Sequence, residues 1–315
     1  MTPNIKFLGD VHLGKQFRTG VPLHRRGDRE KMIREQFAAE LMNVREHVVI
    51  QVGDIFDKHR VDLNVVVETA DAIRAAACSQ CTTTFVFMAG NHDLSRDLEK
   101  ISSFELLALL LKDVTNIRFV IDAPSTVMDI LIVPWSPTKT ALEMITPWVE
   151  AEREMDVVVG HWDKVAIGNT DNLIPLDALA KITKRVVSGH DHVPDEFHHG
   201  DMLVTYVGSM QPLSFAEDPL AKLYLTMDLP TCLGSSEELM NKCVRVLLNP
   251  GEELPTDLDC LQLVGKKVGQ EDEEDLTVEF EDGLNLSAIF TECMAGVDET
   301  IRDMVKVKFE EVRTS

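Results

Sequence analysis

Five short turns that carry histidine, aspartate or asparagine follow apolar segments in the first two thirds of the chain. They lie at residues 9–12, 53–54, 90–93, 160–161 and 189–192, and each contains a glycine. Ligand sites of open α/β sheets lie beyond the carboxyl ends of strands. Glycine lets the backbone bend sharply enough for short side chains to converge. This ordered set predicts an α/β domain with one metal centre.

Apolar runs and amphipathic segments alternate through the first 230 residues, which predicts βαβ units in a layered α/β domain. Helices are predicted at 28–46, 61–77 and 103–112, the last with Ser102 or Ser103 as its N-cap. From about residue 126 the strands follow one another more closely, so the sheet is predicted to be mixed or split in two. The predicted strands are 5–8, 48–52, 85–89, 117–121, 130–133, 157–159, 186–187, 203–207 and 223–227.

The composition excludes several classes of protein. The chain has 315 residues, with 31 Lys and Arg against 53 Asp and Glu, a formal charge of −22. Such an excess of acid argues against a non-specific nucleic-acid coat protein, although a nucleic-acid enzyme can carry its positive charge as metal. The longest apolar run, near residues 106–111, is too short for a membrane span, and no signal peptide is expected. Six scattered cysteines suit reduced thiols in a cytoplasm.

Three regions are predicted along the chain. Residues 1–229 would form the catalytic domain, and residues 230–280 a small accessory region with an acidic segment. Residues 281–315 read as an amphipathic helix that could dock a partner. The stretch 251–300 alone holds 15 acids and two bases.

Seven side chains in the five turns are candidate metal ligands: Asp10, His12, Asp54, Asn91, His161, His190 and His192. Imidazole, carboxylate and amide donors without thiolate favour Mn²⁺, Fe or Zn²⁺ over a structural zinc site. Seven donors are too many for one ion and suit two ions about 3.5–4 Å apart with a bridging carboxylate. Asp10 and His12 are expected on one side of an extended strand, because residues i and i+2 share a face.

The motif order D-x-H, G-D, G-N-H-D, G-H and G-H-x-H resembles that of the calcineurin-like metallophosphoesterases. Residues 9–14, 53–57 and 160–162 are similar to SbcD-type nuclease subunits, those of tailed phages especially. The resemblance covers about residues 4–228. It implies an α/β sandwich of two mixed sheets flanked by helices, with a small C-terminal accessory region, and two divalent ions, with Mn²⁺ expected.

The resemblance also implies roles for individual residues. One ion would be held by Asp10, His12, Asp54 and His192, and the other by Asp54, Asn91, His161 and His190, with Asp54 as the bridge. His92 would contact the scissile phosphate or protonate the leaving oxygen. Asp57 would orient His92, the alternative being a surface turn acid. Lys58 stands where Ser/Thr phosphatases carry arginine, which weighs against that branch.

A basic segment lies beside the first motif. Residues 14–34 contain seven Lys and Arg against two acids, and further bases follow the second motif. Phosphates of a DNA backbone would meet such charges, whereas the alternative is a solvated loop that leads into a helix. The predicted DNA-binding residues are Lys15, Arg18, Arg25, Arg26, Arg29, Lys58 and Arg60.

These observations favour a Mn²⁺-dependent DNA nuclease, exo- or endonucleolytic, that works in recombination or repair. The resemblance implies an ABC-type ATPase partner with coiled-coil arms and a homodimer, in a bacterial or phage-infected cytoplasm. A phosphatase or cyclic-nucleotide phosphodiesterase on small substrates is the first alternative. A non-catalytic scaffold with the same fold is the second.

Overall fold

Four parallel strands form the first sheet of the computed structural model, which describes residues 4–97, 99–165, 170–255 and 258–268. In spatial order they are β1 (Ile5–Leu8), β2 (Val48–Gln51), β3 (Thr84–Met88) and β4 (Ile117–Val120). The connections carry α1 (Asp28–Met42), α2 (Leu63–Ser79) and α3 (Ser103–Leu111). Each strand–helix–strand step is therefore a βαβ unit, as the alternating pattern predicts.

The second sheet has six strands. They are β5 (Ser125–Val127), β6 (Ile130–Ile132), β7 (Val157–His161), β8 (Arg185–Gly189), β9 (Asp195–His199) and β10 (Met202–Tyr206), in the spatial order β5-β6-β7-β8-β10-β9. The inner four strands are parallel, and β5 and β9 at the edges run antiparallel to their neighbours. Helices α4 (Ala141–Glu150) and α5 (Leu176–Leu179) precede β7 and β8 respectively. This sheet is mixed as expected, whereas the first is parallel throughout.

Side chains alternate between two cores along the buried strands. Ile50 packs with Val159 between the two sheets, whereas its neighbour Val49 packs with Phe37 under α1 to α3. The outer face of the second sheet packs against α4 and α5. The layers are thus helices, sheet, sheet and helices, which confirms the predicted fold class. Among the described residues no helix combines the length and apolar character that crossing a bilayer requires.

Two of the helices begin with a capping box. The Ser102 hydroxyl accepts from the Glu105 N–H at 3.2 Å, and the Glu105 carboxylate accepts from the Ser102 N–H at 2.7 Å. Thr140 and Glu143 form the same pair at α4. The N-cap of α3 is therefore Ser102, whereas the Ser103 hydroxyl accepts from the main chain of Val61. Such a cap stabilises a helix by about 1 kcal/mol.

A third, small sheet lies at the end of the described chain. It contains β11 (Tyr224–Asp228), β12 (Cys243–Leu248) and β13 (Gln262–Lys267), with α6 (Leu229–Gly234) after its first strand. Strand β11 pairs in parallel with β12, so the boundary predicted at residue 230 falls inside this sheet-and-helix unit. The acidic run at 271–275 and the helix predicted at 281–315 lie outside the described residues.

Candidate metal centre

All five predicted motifs lie at the carboxyl ends of strands, three in the first sheet and two in the second, although Gly160 and His161 are the last residues of β7 rather than a turn after it. Asp10, His12 and His192 lie together with donor atoms within 4.8 Å, and so do Asp54, His161 and His190. Asn91 joins the second group, because its Oδ1 is 2.8 Å from His161 Nε2 and 3.0 Å from His190 Nδ1. The structure thus brings all seven predicted ligands to one place.

Asp54 lies between the two groups. Its Oδ2 is 3.2 Å from His161 Nε2 and 3.9 Å from His12 Nε2. The Nε2 atoms of His12 and His192 are 3.0 Å apart, and His192 Nε2 is 3.6 Å from Asp10 Oδ2. Spacings near 3 Å are those between neighbouring donors that each lie about 2.1 Å from one ion.

The chemistry of these donors fits divalent cations. Asp10 Oδ1 is buried with no hydrogen-bond partner, which is costly for a carboxylate oxygen in the absence of a cation. Burial, together with the nearby Asp54, raises the pKa of Asp10 well above its usual range. Burial opposes ionisation of Asp54, but the imidazoles of His161, His92 and His12 hold the pKa of this carboxyl below its usual range. Burial also lowers the pKa of His12, which favours the neutral imidazole that a metal requires.

Three of the candidate ligands have left-handed backbone conformations. His12 and Asp54 have φ values of 53° and His190 one of 79°, a region that residues other than glycine rarely occupy. Strained residues of this kind cluster at functional sites. Strand β1 ends at Leu8, so the predicted reason for pairing Asp10 with His12, alternation along an extended strand, is wrong. A turn at His12 accompanies their approach instead.

His92 also lies in the donor cluster, because one of its ring nitrogens is within 4.8 Å of donor atoms of His12 and Asp54. Its main-chain N–H donates to Asp54 Oδ1 at 2.9 Å, and its Nδ1 is 2.6 Å from the main-chain oxygen of Asp57. The Asp57 carboxylate lies 3.4 Å from Lys15 Nζ and 3.7 Å from His12 Nδ1. Asp57 is buried, so the alternative of a surface turn acid is wrong. Its carbonyl contacts His92, while the orienting role expected of its carboxylate stays a prediction.

Three acids that the motifs did not assign support the cluster. The buried Asp93 carboxylate accepts from the N–H groups of Gly90 and Phe56, both at 3.0 Å, so it ties two turns together. Burial, with Asp54 nearby, raises the pKa of Asp93 to about 8. Asp163 and Glu217 contact ring nitrogens of His190 and His192. Asp93 is the last residue of the G-N-H-D motif and Asp163 follows the G-H motif closely, whereas no local signal marks Glu217.

The predicted DNA-binding residues divide into two groups. Arg29 is 2% exposed, lies over the Phe17 ring and donates to Gln211 and to the Pro212 carbonyl, so the prediction is wrong for this residue. Arg25 is bound by the carboxylates of Asp28 and Asp259 at 2.7 and 2.9 Å. The others lie outside the core, with Lys15 partly buried and Arg18, Arg26, Lys58 and Arg60 exposed.

Comparison with known proteins assigns the chain to a family. Residues 3–194 match the Metallophos family, the calcineurin-like phosphoesterases, and the chain belongs to that family. The resemblance predicted from the five turns is thus confirmed, and the chain is a phosphoesterase-family protein with a candidate site for divalent metal ions.

The individual proteins that resemble the chain share only a modest part of its sequence. The chain is 26% identical over 227 residues, 67% of its length, to the DNA double-strand break repair protein Mre11 of Halobacterium salinarum. It spans about half, 53%, of that curated relative. Two similar solved structures are phosphopantetheinyl hydrolase from Mycobacterium tuberculosis and a dimetal phosphatase from Danio rerio. They have 13% and 14% identity, each has a TM-score of 0.38, and the matches cover 70% and 66% of this chain and 92% and 87% of theirs.

Proposed function

We propose that this protein is a metal-dependent DNA nuclease that hydrolyses phosphodiester bonds as a subunit of an ATPase–nuclease complex in recombination or repair. The observation that carries the proposal is the meeting of seven nitrogen and oxygen donors in two groups, with Asp54 between them. The similarity to a double-strand break repair protein supports DNA as the substrate.

Each donor group would hold one divalent ion, with Mn²⁺ expected. Asp10, His12, His192 and Asp54 would bind the first, and Asp54, Asn91, His161 and His190 the second. When bound, a pair of such ions polarises the phosphate and lowers the pKa of the attacking water.

His92 would act on the phosphate side of the site. Its Nδ1 contacts the Asp57 carbonyl at 2.6 Å, so Nε2 would be the nitrogen that meets a phosphate or leaving oxygen. An imidazolium at this position can donate the proton that the departing oxygen needs.

The direct test is cleavage by the purified full chain. Labelled linear duplex and single-stranded DNA would be incubated with Mn²⁺, with a chelator as one control and Asp54→Ala as another. We expect cleavage that the chelator and the substitution abolish. An absence of cleavage on both substrates, with and without the ATPase partner, would contradict the proposal.

A phosphoesterase that acts on small molecules is the second candidate. It is favoured by the burial of Arg29 and the engagement of Arg25, which reduce the basic surface that DNA would meet. Comparison of bis- and mono-nitrophenyl phosphate separates the two, because a nuclease should prefer the diester. A non-catalytic scaffold would bind fewer than two ions per chain at saturation.

The assembly is also part of the proposal. An ABC-type ATPase with coiled-coil arms would be the partner in the cytoplasm, and the nuclease itself would form a homodimer. Affinity capture from the native cell should recover a large protein with long heptad repeats. Light scattering after gel filtration would give the mass of the isolated protein.

A further inference from the structure

Glu217 contacts the candidate metal centre from outside the family match. It ends the short 3-10 turn Phe215–Glu217, which lies beyond residue 194, where the match ends. Its Oε2 is 3.3 Å from His192 Nδ1 and accepts from the Leu213 N–H at 2.8 Å, while its Oε1 lies 3.0 Å from the Ser214 hydroxyl. These contacts hold both carboxylate oxygens in place against the ring.

The two nitrogens of His192 face different surroundings. Nε2 lies 3.0 Å from His12 Nε2 and 3.6 Å from Asp10 Oδ2, inside the donor cluster. Nδ1 faces the carboxylate of Glu217. A carboxylate at Nδ1 keeps the proton on that nitrogen, so the Nε2 lone pair is directed into the cluster.

The other two candidate histidine ligands at the carboxyl ends of the second sheet's strands, His161 and His190, follow the same rule. His161 Nδ1 is 2.9 Å from the main-chain oxygen of Val52, and His190 Nε2 is 2.6 Å from Asp163 Oδ1. In each ring the nitrogen that points away from the cluster meets an oxygen acceptor. The Glu217 contact is therefore part of a consistent arrangement of these three imidazoles.

We propose that Glu217 is a positioning residue that fixes the tautomer and orientation of His192 for the ion held with Asp10 and His12. This inference rests on the proposed metal centre. It assigns part of the site to a segment that the family's motifs do not include. The alternative is that Glu217 only anchors its own turn through Leu213 and Ser214.

Metal binding to the full chain distinguishes these roles. Mn²⁺ would be titrated calorimetrically into metal-free wild type, Glu217→Ala and Glu217→Gln, and thermal unfolding would be recorded without metal. Asp177→Asn is the matched control, because Asp177 pairs with His199 at 2.9 Å on the surface, where its side chain is 96% exposed. Diester hydrolysis at increasing Mn²⁺ would give kcat and KM.

We expect Glu217→Ala to weaken the binding of one of the two ions by about 10–100-fold, the usual effect of removing such a partner. Glu217→Gln should lower the affinity for this ion less, since the amide oxygen can still accept a hydrogen bond from His192 Nδ1–H. Saturating Mn²⁺ should restore most of kcat with KM unchanged, and Asp177→Asn should match wild type.

Equal Mn²⁺ affinities in wild type and Glu217→Ala would overturn the inference, and so would a loss confined to metal-free thermal stability. If the variant loses one ion and wild type cleaves no DNA, the nuclease proposal fails while the role of Glu217 stands. A wild-type protein that binds no Mn²⁺ would overturn both.

Discussion

The main-chain N–H of His92 donates to Oδ1 of Asp54 over 2.9 Å, while Oδ2 of the same carboxylate faces His161 at 3.2 Å. The residue proposed for proton transfer is thus attached to the proposed bridging ligand through its backbone. Because the backbone makes this contact, the imidazole can be removed without removing the hydrogen bond to Asp54.

His92→Ala should therefore leave two ions bound and still lose most cleavage. General acid–base help is typically worth about 10²–10⁴-fold in rate. Metal content by mass spectrometry and cleavage rate at saturating Mn²⁺ would be measured together. His198→Ala, which removes an exposed histidine of β9, should change neither. Loss of an ion from His92→Ala would show that its imidazole is a ligand.

Asp54→Ala should empty at least one metal position, because its carboxylate lies between both donor groups. The substitution also removes the acceptor for the His92 N–H. Metal per chain after dialysis against limiting Mn²⁺ measures the effect. Asp113→Ala removes an exposed acid just after α3 and should retain wild-type content. Two ions in Asp54→Ala would rule out a bridging role.

Gly90→Ala should disturb the centre without adding or removing a ligand. A Cβ at Gly90 would overlap the carboxylate and the main-chain nitrogen of Asp54. A shift of about 1 Å in such a group can reduce the rate about 10²-fold. Gly234→Ala is the control, since its added Cβ meets nothing within 4 Å. Diesterase activity at saturating Mn²⁺ checks this, and equal rates in the two variants would contradict it.

Substitution of Arg29 should affect stability, whereas substitution of Lys58 should affect DNA binding. Arg29→Met leaves the acceptors at Gln211 and Pro212 unpaired, and a charged hydrogen bond contributes roughly 1.5–3 kcal/mol. We expect its free energy of unfolding to fall by about 2 kcal/mol or more. Lys58→Ala at the surface should change stability by less than about 0.5 kcal/mol and weaken DNA binding.

Urea unfolding and DNA titration at two salt concentrations measure these effects. If Arg29→Met unfolds like wild type, the guanidinium is not a structural element. If Lys58→Ala binds DNA normally, this residue does not contact the backbone phosphates.

The cysteines should differ in reactivity. Cys78 and Cys81 are exposed, whereas burial raises the pKa of both Cys243 and Cys260 to about 11. At pH 8 only about one in a thousand of the buried thiols is the reactive thiolate. Brief alkylation followed by peptide mass mapping should label the exposed pair and, in urea, the buried ones as well. Rapid labelling of Cys243 in the native protein would contradict the packing of the small sheet.

Local patterns predicted most of the framework. Strands such as β2 and β7 appear where apolar runs were seen, because continuous burial on both faces requires such runs. Strand β9 was missed, since Asp195–His199 holds one apolar residue and depends on pairing with β10. Helix α4 was missed as well, and it contains Pro147.

In the site, too, contacts between segments far apart in sequence were not predicted. A basic residue within a basic segment is expected to be exposed, yet Arg29 is enclosed by Phe17 of the same segment and by Gln211 and Tyr224, which are far away in sequence. The contact between Glu217 and His192 spans 25 positions without a recognisable motif.

The sequence was sufficient to predict that the chain carries a candidate metal centre, because the donor types, their order and their positions after apolar runs are local features of the sequence. Tertiary structure alone decided which nitrogen of each imidazole points inward, which arginines are enclosed and which acid supports His192. These depend on packing between segments far apart in sequence, and burial and pairing set the state of a charged group only once its neighbours are in place.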